Sequence, residues 1–202
     1  MYIDNPIREY LNDLASKKPA PGGGSAAALG AATGAGLISM VANYTVDNPE
    51  YKANREKIAD ILSKSEKFRR ELESLVDKDV EAYKKLSKAM KEIPKDSPLL
   101  DGAYKEALIP PFETCKIANE CLGLCKGIAE YGNKNLITDT AIAAIMLEGA
   151  FLSAKFNVYI NLKHIKDIDF VGEVHKVLAP LEESMPELKE EILEMCEEII
   201  QK

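Results

Sequence analysis

PAPGGGSAAALGAATGAGLISMVANYTV, residues 19–46, is a run of 28 residues without one charge, in a chain of which 29% is Asp, Glu, Lys or Arg. Such a run has to be shielded from water along its length. Its first part, Pro19 to Gly24, reads as a loop, because proline removes backbone donors and three glycines lose the most entropy on ordering. Ser25 stands where an N-cap would, opening a helix to about Asn43. Ala27, Gly30, Ala31, Gly34 and Ala35 recur three and four residues apart, which lets neighbouring helices approach closely. The helix is therefore expected at the centre of a bundle. Gly22, Gly23, Gly24 and Ser25 would then sit at the mouth of a buried helix, with free N–H groups and the positive end of its dipole facing any ligand.

Other readings of the stretch are less consistent with its residues. A membrane span calls for about 20 predominantly apolar residues, and here only Leu29, Leu37, Ile38, Met40 and Val41 are bulky. A Walker-type phosphate loop needs Gly-Lys-Ser/Thr after the glycines, whereas Ser25 is followed by Ala26. A flexible lead-in to a core helix, without any ligand, stays open.

At 202 residues and 46% hydrophobic, the chain is long enough for one substantial core, so residues 1–202 are expected to form a single domain. The net charge of −7, the absence of Trp and a 6% aromatic content argue against nucleic acid as a partner, since phosphates call for a concentrated basic surface. Met1 to Pro6 shows neither the basic nor the apolar region of an export signal, so a cytoplasmic protein is expected, not associated with a membrane. Cys115, Cys121, Cys125 and Cys196 lack CxxC spacing and read as buried thiols, and no metal site is expected.

Outward from the glycine stretch, Asp4 or Asn5 can cap a first helix with Pro6 in its opening turn and a stripe of Ile3, Ile7, Leu11, Leu14 and Ala15. After Asp47-Asn48-Pro49 a long amphipathic helix is expected from about Glu50 to Lys91. Its seam follows a 3.5-residue period: Ile58, Ile61, Ser65, Phe68, Leu72, Leu75, Asp79, Tyr83 (one step late), Leu86, Met90. Asp77, Glu81 and Lys85 point elsewhere and read as solvated. Asp79 interrupts the seam. A carboxylate there has to be paired, hydrogen-bonded or raised in pKa, and both a bond to a neighbouring helix and a working acid or base account for it.

Ile93 to Pro98 reads as a loop, with Ser97 capping the next helix, which Pro110-Pro111 should interrupt and Gly132 should close. Thr138 can cap a helix to about Ile165, placing Asp139 in its first turn, where the dipole favours an acid. The face of Asp139, Ala143, Met146, Ala150, Ser153, Asn157 and Asn161 is small and polar, fit either to line a pocket or to bond helix ends. The last third, from Asp169, keeps helical spacing with breaks expected at Pro180 and Pro186 and a capping box of Ser184 and Glu187. His164 and His175 have no metal-ligand spacing and are given no chemistry. No strand-like alternation is present. The fold expected is all-α: a helical bundle with a long amphipathic helix and a buried Gly/Ala-rich central helix.

Four segments carry a family resemblance. Pro21-Gly22-Gly23-Gly24-Ser25-Ala26-Ala27-Ala28 resembles the opening motif of the cyclodeaminase domain of the formiminotransferase-cyclodeaminase family, which includes methenyltetrahydrofolate cyclohydrolases. Asp79-Val80-Glu81-Ala82-Tyr83 resembles its Asp-x-x-Ala-Phe/Tyr segment. Gly132-Asn133-Lys134-Asn135 with Asp139 is similar to its Gly-Asn-x-x-x-x-Ser-Asp segment, with Thr138 in place of serine. Phe156 to Leu162 is similar to its Asn-Val-x-Ile-Asn signature. The matches follow the family's order; besides Thr138, the stretch from Glu92 to Asp101 departs, lacking the basic residues associated with a folate polyglutamate tail.

The resemblance implies one-carbon chemistry on a tetrahydrofolate derivative, with no cofactor beyond that substrate. A cyclodeaminase closes 5-formimidoyltetrahydrofolate to 5,10-methenyltetrahydrofolate with loss of ammonia; a cyclohydrolase opens the methenyl compound to 10-formyltetrahydrofolate. Asp79 matches the family's catalytic aspartate. Gly22, Gly23, Gly24, Ser25, Tyr83, Asn133, Asn135 and Asp139 are expected to border the pocket, Asn157 and Asn161 to shape it, and Lys134 is a candidate for the substrate carboxylate. No formiminotransferase segment accompanies these motifs, which shifts the expectation toward the cyclohydrolase. Long seams and small-residue faces suggest a homodimer. A non-catalytic helical assembly subunit is the reading from another class, and a cleft beside Asp79 large enough for a pteridine would count against it.

Overall fold

The computed structural model describes residues 1–94 and 96–202. Lys95, in the stretch read above as a loop, lies outside the described residues. Six helices make up the bundle: α1 (Ile7–Leu14), α2 (Gly23–Val46), α3 (Arg55–Glu92), α4 (Pro98–Tyr131), α5 (Ile137–Leu162) and α6 (Ile168–Ile200). The described residues contain no strand. The fold is all-α, as the periodicity requires.

α2 occupies the centre and packs on α3, α4 and α5, while α6 lies across α4 and α5. Small residues make this possible. A methyl group added at Gly34 would fall 2.9 Å from Cγ of Leu147 and 3.3 Å from the carbonyl oxygen of Ala143, so the backbone of α2 rests almost directly on α5. Ala31, Ala35, Ile38, Val41 and Ala42 are fully buried around it. The α3 seam is as read: Ile58, Ile61, Leu72, Leu75 and Leu86 are buried, and Ser65 in that row is satisfied by Ser39 Oγ at 2.8 Å. Tyr83 and Met90 leave the core and stand 46% and 55% exposed.

Several expectations are corrected. α2 begins at Gly23, with Gly22 as its N-cap and no side-chain cap; Ser25 is fully buried inside the first turn, where its Oγ lies 3.2 Å from the Tyr10 hydroxyl. In α1 the cap position is Pro6, and the stripe is reversed: Ile7 and Leu11 are exposed while Tyr10 is buried. Tyr10 reaches α2, Leu14 of the expected stripe still packs on the core, and the Tyr2 hydroxyl donates to Asp13 at 2.8 Å. Asp77, expected to be solvated, is buried and accepts the backbone N–H of Tyr2 at 2.6 Å and of Ile3 at 3.2 Å.

The prolines do not end their helices. α4 runs unbroken through Pro110 and Pro111; the Ala107 carbonyl, which Pro111 has no N–H to bond, is reached by Asn161 Nδ2 at 3.5 Å. α6 runs through Pro180 and Pro186, held by Val174, Leu178, Met185, Ile192 and Cys196 on its buried face. Ser184 is therefore mid-helix. α5 starts at Ile137 behind the short turn Lys134–Leu136, and Thr138 is exposed and caps nothing. Ser97 caps α4 by accepting the Leu99 N–H. Gly132 closes α4 with a φ of −81°, so space rather than handedness requires it: a methyl there would lie 2.5 Å from the Ile128 carbonyl oxygen.

Candidate functional site

Where α2 starts, its first turn points at the side of α3, and a cavity of about 400 Å³ opens there. Its floor is Gly22, Gly23, Gly24 and Asp79. α3 adds Tyr83, Leu86 and Met90; α4 adds Tyr104 and Ala107; the end of α5 adds Asn157, Ile160, Asn161 and then His164. This volume lies in the range of small-molecule sites.

Among the described residues Asp79 is the only carboxylate in the lining, and no lysine or arginine joins it there. Burial pushes its pKa up to about 6, while the Ser25 backbone N–H, directed at the carboxylate, pulls the other way. A group with that value exchanges protons near neutral pH, as a general acid or base must. The free N–H groups at the start of α2 and the helix dipole are the positive potential on the anionic form.

Gly24 is the position that sets this distance. A methyl on it would lie 2.7 Å from Asp79 Cγ, so the carboxylate reaches the helix terminus only because no side chain is there. Above the floor, Asn157 and Asn161 are anchored through their Nδ2 groups to the carbonyls of Ser153 and Asn157. Their side-chain oxygens are left to accept from a ligand. Also in the lining, the His164 ring stacks on Tyr104, centroids 4.7 Å apart and 17° from parallel.

Of the residues expected at the site, Gly22, Gly23, Gly24, Asp79, Tyr83, Asn157 and Asn161 converge on this cavity, and Ser25 lies just behind it. Asn133, Asn135 and Asp139 do not line it. The Asn133 N–H donates to Thr45 in the last turn of α2, the opposite end of a 24-residue helix about 36 Å long. Lys134 is there too, its ammonium spent on the Ala129 and Glu130 carbonyls at the end of α4, with burial lowering its pKa. Sequence reasoning missed Tyr104 and His164. The one signal for His164 was its place three residues after Asn161, on the same helical face.

A family model described as formiminotransferase-cyclodeaminase matches residues 6–180. The chain belongs to the formiminotransferase-cyclodeaminase family. Within that family it is 35% identical over 196 residues to a methenyltetrahydrofolate cyclohydrolase of Methylorubrum extorquens, covering 93% of this chain and 94% of the relative. It is 35% identical over 190 residues to a formimidoyltransferase-cyclodeaminase of Dictyostelium discoideum, covering 91% of this chain but only 35% of that protein. The crystal structure of a formiminotetrahydrofolate cyclodeaminase from Thermotoga maritima superposes with a TM-score of 0.92 at 31% identity, over 99% of this chain and all of that one. The chain thus spans about a third of the bifunctional relatives' length and nearly all of the other two. It is an enzyme of this family.

Proposed function

We propose that the protein interconverts tetrahydrofolate one-carbon derivatives in the cavity beneath α2, with Asp79 as the proton-transfer group and 5-formimidoyltetrahydrofolate as substrate. The observation that carries this is a carboxyl with a pKa of about 6 on the floor of an aromatic-walled cavity. In cyclodeamination N10 attacks the formimidoyl carbon, and the Asp79 carboxylate takes the N10 proton. The same proton is then returned to the amino group of the tetrahedral carbon. Its C–N bond breaks, ammonia leaves, and 5,10-methenyltetrahydrofolate remains. A positioned group of this kind contributes on the order of 10²- to 10⁴-fold.

The same arrangement supports a second reading. A water added to the methenyl carbon would lose one proton to Asp79, N5 would take that proton as its bond to the carbon breaks, and the remaining hydroxyl proton would leave to solvent as the C=O forms, giving 10-formyltetrahydrofolate. The cyclohydrolase of M. extorquens, matched over 94% of its length, favours this reaction as much as the Thermotoga cyclodeaminase favours the first. A non-catalytic assembly subunit is opposed by the open cleft beside Asp79.

Incubating the purified protein separately with 5-formimidoyl- and 5,10-methenyltetrahydrofolate, and following methenyl absorbance, tests both. A rise with the first substrate identifies the cyclodeaminase and a fast decay of the second the cyclohydrolase; no change with either sinks the proposal.

A further inference from the structure

Two residues before the acid of the site stands a second buried acid that the chemistry does not use. Asp77 is buried, and its two oxygens accept the backbone N–H groups of Tyr2 at 2.6 Å and Ile3 at 3.2 Å. Taking a carboxylate out of water is costly unless hydrogen bonds offset it, and apolar packing would hold a chain segment at less cost. What the charged acceptor adds is direction, because two bonds from adjacent peptides fix one backbone placement and with it where the Tyr2 side chain goes.

From Tyr2 the contacts lead back to the cavity. Its ring meets the Tyr10 ring edge to face, with centroids 5.6 Å apart and planes at 85°. The Tyr10 hydroxyl lies 3.2 Å from Ser25 Oγ, and the Ser25 N–H is directed at the Asp79 carboxylate. Burial raises the Tyr10 pKa, the Ser25 bond lowers it, and the charges of Asp79 and Asp77 raise it further, so this phenol senses both acids. A second tie closes the segment on itself. The Tyr2 hydroxyl donates to Asp13 Oδ2 at 2.8 Å and Lys18 Nζ donates to Asp13 Oδ1 at 2.5 Å, just before Pro19 and Ala20 of the cavity lining.

We propose that Asp77 and Tyr2 are positioning residues for Asp79: the buried carboxylate fixes the Tyr2 ring against Tyr10, Tyr10 holds the first turn of α2 through Ser25, and the Ser25 N–H is thereby kept on the Asp79 carboxylate. Residues 2–18 act as a brace behind the glycine floor, anchored on the same helix that carries Asp79. Loosening the brace weakens the Ser25 bond to the anion, which favours the protonated acid. The direction is diagnostic. Removing the Asp77 charge by itself would favour the Asp79 anion, the opposite effect. Other titratable side chains of the cavity are Tyr83 on α3, Tyr104 on α4 and His164 beyond α5, and the substitutions below leave all three in place.

Carbon-13 NMR of aspartate-labelled protein tests this without substrate, the Asp79 carboxyl signal being the one lost in Asp79→Asn. In Asp77→Ala and in Tyr2→Leu its titration midpoint should rise by about half to one pH unit. Tyr2→Leu changes no charge and keeps both backbone donors, so it decides the matter even if Asp77→Ala fails to fold. Tyr2→Phe, which keeps the ring on Tyr10, should titrate as wild type does. A second readout rests on the folate reading. For a one-unit rise, kcat of Tyr2→Leu should fall roughly threefold at pH 6.5 and recover near pH 8, whereas a merely loosened fold would not be rescued by pH. An unmoved Asp79 midpoint in Tyr2→Leu, or a lowered one in Asp77→Ala, overturns the positioning. Tyr2→Phe displaced as far as Tyr2→Leu overturns the ring contact as its link. Midpoints that move in a protein inert toward both folates would sink the functional reading alone.

Discussion

The carboxyl of Asp79 occupies the space that a side chain on Gly24 would take: a methyl built there would lie 2.7 Å from Cγ and 2.9 Å from Oδ2, and closer still to Oδ1. Helix terminus and carboxylate meet because residue 24 is glycine. Gly24→Ala should therefore leave the helical content unchanged while pushing Asp79 off the floor of the cavity. Displacement of about 1 Å at a reacting group costs on the order of 10²-fold in kcat. Far-UV circular dichroism with steady-state kinetics checks it, and near-normal turnover by a folded Gly24→Ala protein would contradict the assignment of Asp79.

The same burial makes Asp79 a cost to the native state. Its folded pKa of about 6 lies above the ordinary 3.8, so the native protein holds this proton more tightly than the unfolded chain does. That contribution is fully present below the ordinary value and is lost as pH rises through about 6. Asp79→Asn removes the dependence. The variant should be more stable than wild type by about 1–3 kcal/mol near pH 8, with the difference shrinking toward about pH 4, because each tenfold change in proton affinity is worth roughly 1.4 kcal/mol. Thermal melts across pH read this directly; equal melting curves at all pH values would mean that Asp79 is solvated. Activity should fall on acidification through about pH 6, where the carboxylate that accepts the N10 proton is neutralised.

Tyr10 acts on the site from behind. Its buried hydroxyl meets Ser25 Oγ at 3.2 Å, and the N–H of Ser25 acts on Asp79. Tyr10→Phe keeps the ring and removes the bond, costing about 1 kcal/mol of stability. With Ser25 less firmly held, its N–H stabilises the carboxylate less, so the acidic limb of the pH–rate profile should move upward. A limb that stays in place while stability drops would reduce Tyr10 to packing alone.

Local spacing foretells these elements unevenly. The α3 seam, interrupted by one acid, is readable because a buried face repeats with the helix, and Asp79 stands out as the break in it. Asp77, two residues earlier, is not readable: its partners are the backbone N–H groups of Tyr2 and Ile3, and backbone carries no side-chain pattern. α1 misleads for a related reason. Ile7 and Leu11 satisfy an apolar stripe, yet in this eight-residue helix it is Tyr10, with Leu14, that meets the core. Pro110 and Pro111 look like a stop locally, and only the Asn161 side chain, 54 residues away, shows how the unbonded Ala107 carbonyl is met. Resemblance groups Asn133, Asn135 and Asp139 with the site, and within one chain the geometry separates them from it.

His164 supplies the last test. Its ring stacks on Tyr104 in the cavity lining, three residues beyond Asn161. A flat heteroaromatic substrate entering the cavity meets the exposed edge of this pair, and stacking of that kind contributes about 0.5–1.5 kcal/mol beyond area burial. With the one-carbon unit held at Asp79 and the ring of the substrate on this pair, the stacking contact would be the same in ground and transition states. His164→Ala should therefore raise KM by roughly 3- to 10-fold and leave kcat unchanged. His164→Phe, which keeps a ring over Tyr104, should restore KM. A fall in kcat with KM unmoved would place His164 in the chemistry and require the substrate to lie the other way round in the cavity.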